Sequence, residues 1–154
     1  MAYSIDRARL VADQLERFAH SHAHQLAGQV ANLGFWLDEV AAALRTMDEY
    51  PQRFRRLRES QASWVKRHGT VVSEYCPHCG GACEFGPHAP PPPTRIPSEQ
   101  LGEARDRIRQ SCYRFLLRSY RLGLLEEPAV REACERVGVG VEAEDLEREP
   151  VQTP

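Results

Sequence analysis

Between residues 74 and 88 the chain reads Glu-Tyr-Cys-Pro-His-Cys-Gly-Gly-Ala-Cys-Glu-Phe-Gly-Pro-His, with three cysteines and two histidines in fifteen positions. Thiolates and imidazoles are the ligands zinc prefers, and four of them close a tetrahedral structural site. The Cys-x-x-Cys spacing of Cys76 and Cys79 lets both sulfurs face one ion across a tight turn. Gly80 and Gly81 free the backbone amides behind them to point at the sulfurs. Cys83 adds a third thiolate, and His88 is within reach as the fourth ligand. His78 sits inside the turn, where its side chain tends to point away. Cys112, His68 or a residue of a second subunit are the other candidates for the fourth position.

The stretch Tyr75-Cys76-Pro77-His78-Cys79-Gly80-Gly81 resembles one knuckle of the zinc-ribbon family, in which a strand enters a Cys-Pro-x-Cys-Gly turn and a second strand leaves it. The resemblance implies a structural Zn2+ held by Cys76 and Cys79. A zinc ribbon has two such knuckles and this chain has one, so the resemblance leaves the remaining ligands open. Energetics favour a metal. Ordering fifteen residues costs on the order of 20 kcal/mol. Burying Val71, Val72, Tyr75 and Phe85 returns about 2 kcal/mol each. The remaining ~12 kcal/mol is what a structural zinc supplies.

Two other chemistries use similar residues. Cys-Pro-His-Cys is also the active-site tetrapeptide of the DsbA-type thiol oxidants, which resemble thioredoxin. That reading makes the protein a thiol-disulfide oxidoreductase. It requires a helix N-terminus at the first cysteine to depress its pKa, and Gly80-Gly81 is a poor helix start with no βαβ pattern around it. An iron–sulfur cluster would need a fourth cysteine that the proline-rich exit does not offer. A catalytic zinc needs an open position and a general base, for which only Glu74 and Glu84 are near. The segment therefore reads as structural and the protein as no enzyme.

Outside this segment, His20, His22 and His24 alternate. On a helix, residues two apart point about 200° away from each other, so the three cannot converge. His22 falls on an apolar stripe, while His20 and His24, with Glu16 a turn earlier on the same face, could bind a metal together or form a solvated face. Two arginine clusters have a different potential. Arg53, Arg55, Arg56, Arg58, Lys66 and Arg67 precede the cysteines, and Arg105, Arg107, Arg109, Arg114, Arg118 and Arg121 follow them, with Trp64, Tyr113 and Tyr120 interleaved. Phosphate contact and base stacking need these residue types, whereas a solvated face or pairing with acids is the plain alternative. Pro90-Pro91-Pro92-Pro93-Thr94-Arg95 fits the P-x-x-P-x-R form read by SH3-like grooves, but a stiff spacer explains it equally well.

The elements that must position these groups are mostly helical. Val11, Leu15, Phe18, His22, Leu26, Val30, Leu33, Leu37, Val40, Leu44 and Met47 recur at three- and four-residue steps, a stripe that predicts one long or mildly kinked helix from about Ser4 to 48. A hairpin broken at Gly34 is the alternative. Such a helix would be about 65 Å long and would call for self-association. Pro51 suits the first position of a new helix, with Phe54, Leu57, Gln61, Trp64 and His68 on one face until Gly69. TVVSEY and ACEF alternate as short strands, and residues 87–97 form the proline-rich spacer. Ser98 caps a helix to about Leu124, with Leu101, Ala104, Ile108, Cys112, Phe115, Ser119 and Leu122 inward. Pro128 opens a last helix ending at Gly138.

At 154 residues one core is expected. The expected fold is mainly α, a long-helix bundle over residues 1–137 with a small zinc-stapled β-hairpin, 70–88, inserted between helices. The acidic residues 138–154 are expected to form a disordered tail. Charge is uneven: residues 1–50 hold 4 basic and 7 acidic side chains, 51–125 hold 13 and 6, and 126–154 hold 3 and 9. No apolar run approaches the ~18 residues of a membrane helix, and the first ten residues carry acid and arginine where a signal peptide needs an apolar stretch. A soluble cytoplasmic protein is expected, with an odd set of five cysteines suited to metal or thiol chemistry rather than disulfides. Its expected role is a non-catalytic zinc-binding interaction or adaptor module for itself or a protein partner, with nucleic-acid binding through the arginine-rich helices as the alternative.

Overall fold

The computed structural model describes residues 2–68 and 95–147, and these are mainly helical. The helices are α1 (Ala2–Ala19), α2 (Ala23–Val30), α3 (Leu33–His68), α4 (Ser98–Arg121) and α5 (Glu127–Val137), followed by a 3-10 turn at Ala143–Leu146. The expected strands TVVSEY and ACEF lie outside the described residues, as does the stretch up to Thr94. The chain divides into two compact units, Met1–Met47 with Pro97–Pro154, and Asp48–Ile96.

The first unit is built round α4. Its Leu101, Ala104, Ile108, Cys112, Phe115, Leu116, Leu117 and Tyr120 are all buried, a burial wider than one stripe, as befits a helix covered on several sides. Helix α1 lies alongside it with Ile5, Ala8, Val11, Ala12 and Leu15 buried at three- and four-residue steps. The start of α3 contributes Leu37, Val40, Leu44 and Met47, and α5 contributes Val130, Ala133, Cys134 and Val137. Burying each such aliphatic side chain stabilises the unit by roughly 1.5–3 kcal/mol before entropy is counted. Two serines share the interior: the Ser119 hydroxyl donates to the Phe115 carbonyl at 2.7 Å and Ser111 to Glu16 at 3.2 Å.

The single helix expected over residues 4–48 is instead three helices; the second break, at Ala31 and Asn32, reaches the start of the Asn32-Leu33-Gly34 interruption, while Gly34 itself sits inside the first turn of α3. Helix α1 ends where Ser21 Oγ donates to the Phe18 carbonyl at 2.8 Å and His20 Nδ1 lies 2.8 Å from the Glu16 carbonyl. Such local bonds let short polar side chains compete with helix continuation. His22 then takes an extended conformation (φ −64°, ψ 150°) ahead of α2. Folding back lets the apolar stripe cover itself: Phe18 meets Trp36 edge-on at 5.0 Å between ring centroids, and Arg7 pairs with Glu39 at 2.7 Å.

Pro51, expected to open a helix, lies inside α3. An internal proline removes the hydrogen bond to the carbonyl four residues earlier, here that of Met47. Arg105 of α4 repairs the loss, its Nη2 donating to the Met47 carbonyl at 3.2 Å. In the second unit, Tyr50 is buried, stacks near Phe54 at 5.8 Å, and accepts the Ile96 amide on its hydroxyl at 2.7 Å.

Helix α4 starts one residue beyond its N-cap, Pro97, so Ser98 is its first residue and not its cap. Leu122, expected inward, is 41% exposed. Both later helices end on glycine in the left-handed region, Gly123 at φ 75° and Gly138 at φ 74°. The amide after each glycine reaches back, Leu124 to Ser119 and Val139 to Cys134, at 2.8 and 2.9 Å. This is the Schellman arrangement that satisfies the last carbonyls. Beyond Gly138, in the acidic stretch expected to be disordered, the described residues 139–147 pack against the rest of the first unit: Leu146 is buried, and Tyr113 donates to Asp145 at 2.5 Å.

Candidate metal centre and basic helix faces

Cys76, Cys79, Cys83 and His88, together with His78, Glu74 and Glu84, lie outside the described residues. The described helices bracket them: α3 ends at His68 and α4 begins at Ser98. Among the described residues, no group of three or more His, Cys, Asp or Glu side chains is placed to hold a metal ion.

Of the outside candidates for a fourth ligand, Cys112 is buried in α4. Burial, with a smaller contribution from Cys134 on α5, pushes its thiol up to about 12. With 1% of its surface exposed among the core side chains of α4, Cys112 packs as a small apolar group. Burial also raises the Cys134 thiol.

The histidine run is dispersed. His20, His22 and His24 are exposed, and His20 and His22 fall in the connection between α1 and α2. Glu16 is turned towards α4, 3.2 Å from Ser111, 3.6 Å from Arg114 and 3.9 Å from Arg107. It is thus the acid that neutralises α4, not a metal ligand beside His20 and His24. His22, expected on the apolar seam, caps α2 in solvent.

The two arginine clusters part company. On α4, Arg107 pairs with Asp13, Arg114 with Glu16, Arg118 donates to the Ser21 carbonyl at 3.0 Å, and Arg105 to that of Met47. These guanidinium groups tie α4 to α1 and α3. The tyrosines expected to stack on bases are also engaged: Tyr120 is buried, and Tyr113 donates to Asp145 while accepting the Glu142 amide at 3.3 Å. Burial and the bond to Asp145 push the Tyr113 hydroxyl up to about 12. On α3, Arg53 pairs with Glu49 at 3.0 Å, one helical turn away. Arg55, Arg56, Arg58 and Lys66 are exposed and make no ion pair among the described residues. The side chains of Trp64 and Arg67 lie outside the described set, and Arg95 is exposed.

Sequence reasoning missed the Arg105 repair of Pro51 and the Tyr113–Asp145 anchor. The signal for the first was available in part, since a proline four residues after an inward-facing methionine leaves one particular carbonyl to satisfy. Among the described residues, no helix is long and apolar enough to cross a membrane. No protein-family model matches the chain, and no curated protein or solved structure matches it either.

Proposed function

We propose that this protein is a non-catalytic interaction module in which one structural Zn2+, held by Cys76, Cys79, Cys83 and His88, staples a short β-hairpin between α3 and α4. The observation that carries this reading is the Cys76-Pro77-His78-Cys79-Gly80-Gly81 pattern with a third cysteine, Cys83, four residues beyond Cys79. The helices supply the surface for a second copy or a protein partner. The test is replacement of Cys76 and Cys79 by serine. The variant should bind no zinc and lose hydrogen-exchange protection between residues 70 and 88 while the helices of the first unit keep theirs. Full zinc retention in that variant would overturn the proposal.

A second reading, contact with nucleic acid through α3, is favoured by one observation: Arg55, Arg56, Arg58 and Lys66 are exposed and unpaired among the described residues.

A further inference from the structure

We infer that the row Arg55, Arg58 and Lys66 on α3 is a contact surface for the phosphodiester backbone of a nucleic acid, engaged without base specificity. The inference rests on the second reading above and narrows it to one face of one helix.

The row follows from helical geometry. Arg55, Arg58, Ala62 and Lys66 succeed one another at steps of three, four and four residues, so they share one face. From Arg55 to Lys66 the face extends about 17 Å at 1.5 Å per residue. All four of these residues are exposed. Glu59 is the acid on this side, four residues after Arg55, yet it makes no ion pair with it. The apolar residues of this part of α3 point elsewhere: Tyr50 and Phe54 are in ring contact, and Leu57 follows on their side of the helix.

That separation of cations from apolar groups decides between partners. A protein interface has an apolar centre from which charged residues, lysine above all, are depleted. A phosphate backbone needs only a line of cations, since binding is driven by the release of condensed counterions. Among the described side chains the row on α3 offers cations and Ala62, while Leu57, 43% exposed, lies on the other side of the helix. The contrast with α4 is what the structure adds. There Arg105, Arg107, Arg114 and Arg118 are engaged by Asp13, Glu16 and two backbone carbonyls, whereas Arg55, Arg58 and Lys66 on α3 are exposed and make no ion pair among the described residues.

The experiment is fluorescence anisotropy of the full-length, zinc-loaded chain with a labelled 24-nucleotide DNA of mixed sequence, as a single strand and as a duplex, between 50 and 200 mM salt. Three to four phosphate contacts give a log–log slope of about −0.7 per contact on a single strand and about −0.9 on a duplex, a loss of roughly 20- to 150-fold over that range. Replacing Arg55, Arg58 and Lys66 together by glutamine should make the slope shallower by about 2 on a single strand or about 3 on a duplex. Circular dichroism should be unchanged, because these side chains are exposed. Replacing Arg107 and Arg114 on α4 by glutamine should leave the slope as it was.

Binding whose slope is untouched in the α3 variant would overturn this inference while leaving a nucleic-acid role at another surface. No binding of either DNA at 50 mM salt would overturn both. Equal binding of poly-glutamate with the same dependence on Arg55, Arg58 and Lys66 would assign the row to an acidic polypeptide and overturn it as well. A preference of more than tenfold between two unrelated sequences would refute contact with the backbone alone.

Discussion

Replacing Arg105 by methionine removes the guanidinium that donates to the Met47 carbonyl and keeps most of the side chain's apolar bulk. Met47 is fully buried, and the proline four residues on has no N–H to give. The carbonyl is then left without its donor. A buried acceptor that loses its hydrogen bond costs about 1–3 kcal/mol, and we expect a loss in that range by urea denaturation. The same change in a Pro51→Ala background should cost less, because the alanine amide can restore the helical bond. Pro51→Ala alone removes a proline from a helix interior and restores helix propensity. The double-mutant cycle should therefore give a coupling of about 1–2 kcal/mol between positions 51 and 105. A coupling within about 0.3 kcal/mol of zero, the range of independent sites, would refute the repair and leave Arg105 as an ordinary packing residue.

Three further outcomes follow from the same geometry. The Cys112 thiol titrates near 9 when unfolded and about 12 in the fold, so its contribution is complete below pH 9 and is lost as pH rises towards 12. At about 1.4 kcal/mol per pKa unit, Cys112→Ala should flatten the loss of stability by about 1.4 kcal/mol at pH 10, and an identical pH profile would contradict the burial argument. Gly138→Ala and Gly123→Ala force a side chain into the left-handed region with no serious collision, the nearest atom to a Cβ at 138 being Arg109 Nη2 at 3.8 Å. Each should cost about 1–2 kcal/mol from backbone strain, read as a fall in Tm. Tyr113→Phe removes the hydroxyl that holds Asp145 and the Glu142 amide. It should cost about 1 kcal/mol and speed amide exchange between residues 142 and 147, and unchanged exchange there would show that Leu146 alone pins the segment.

The apolar stripe made the helical faces legible: Leu15, Leu26 and Val40 were placed inward from spacing, and each is fully buried. Spacing could not reveal where the helix breaks. Phe18 and Leu26 are eight residues apart, close to two turns, so the phase survives the extended residue at His22. Pro51 misled for a related reason. Its missing bond is made good by Arg105, whose place beside Met47 depends on the packing of α4 and has no local signature. The glycine stop at 138 was legible, because a left-handed residue after a helix has few alternatives to glycine. The order of residues 139–147 was not, since one buried leucine and one tyrosine hydroxyl hold an otherwise acidic run. The arginines were visible as two equal clusters. Only the partners Asp13, Glu16, Ser21 and Met47 distinguish Arg105, Arg107, Arg114 and Arg118 on α4 from Arg55, Arg56, Arg58 and Lys66 on α3, which make no ion pair among the described residues. The cysteine segment was the sharpest chemical signal in the chain, legible from the spacing of Cys76, Cys79 and Cys83 alone.

The most direct test of the zinc reading is elemental analysis of protein purified without added metal, paired with thiol counts in three states. The account predicts one zinc per chain. It also predicts no rapidly reacting thiol in the native protein, the three of Cys76, Cys79 and Cys83 after chelation, and all five after denaturation, when Cys112 and Cys134 leave the core. Protein without metal, in which Cys76 and Cys79 form a reversible disulfide, would contradict the zinc site and make thiol-disulfide exchange the leading chemistry of this segment.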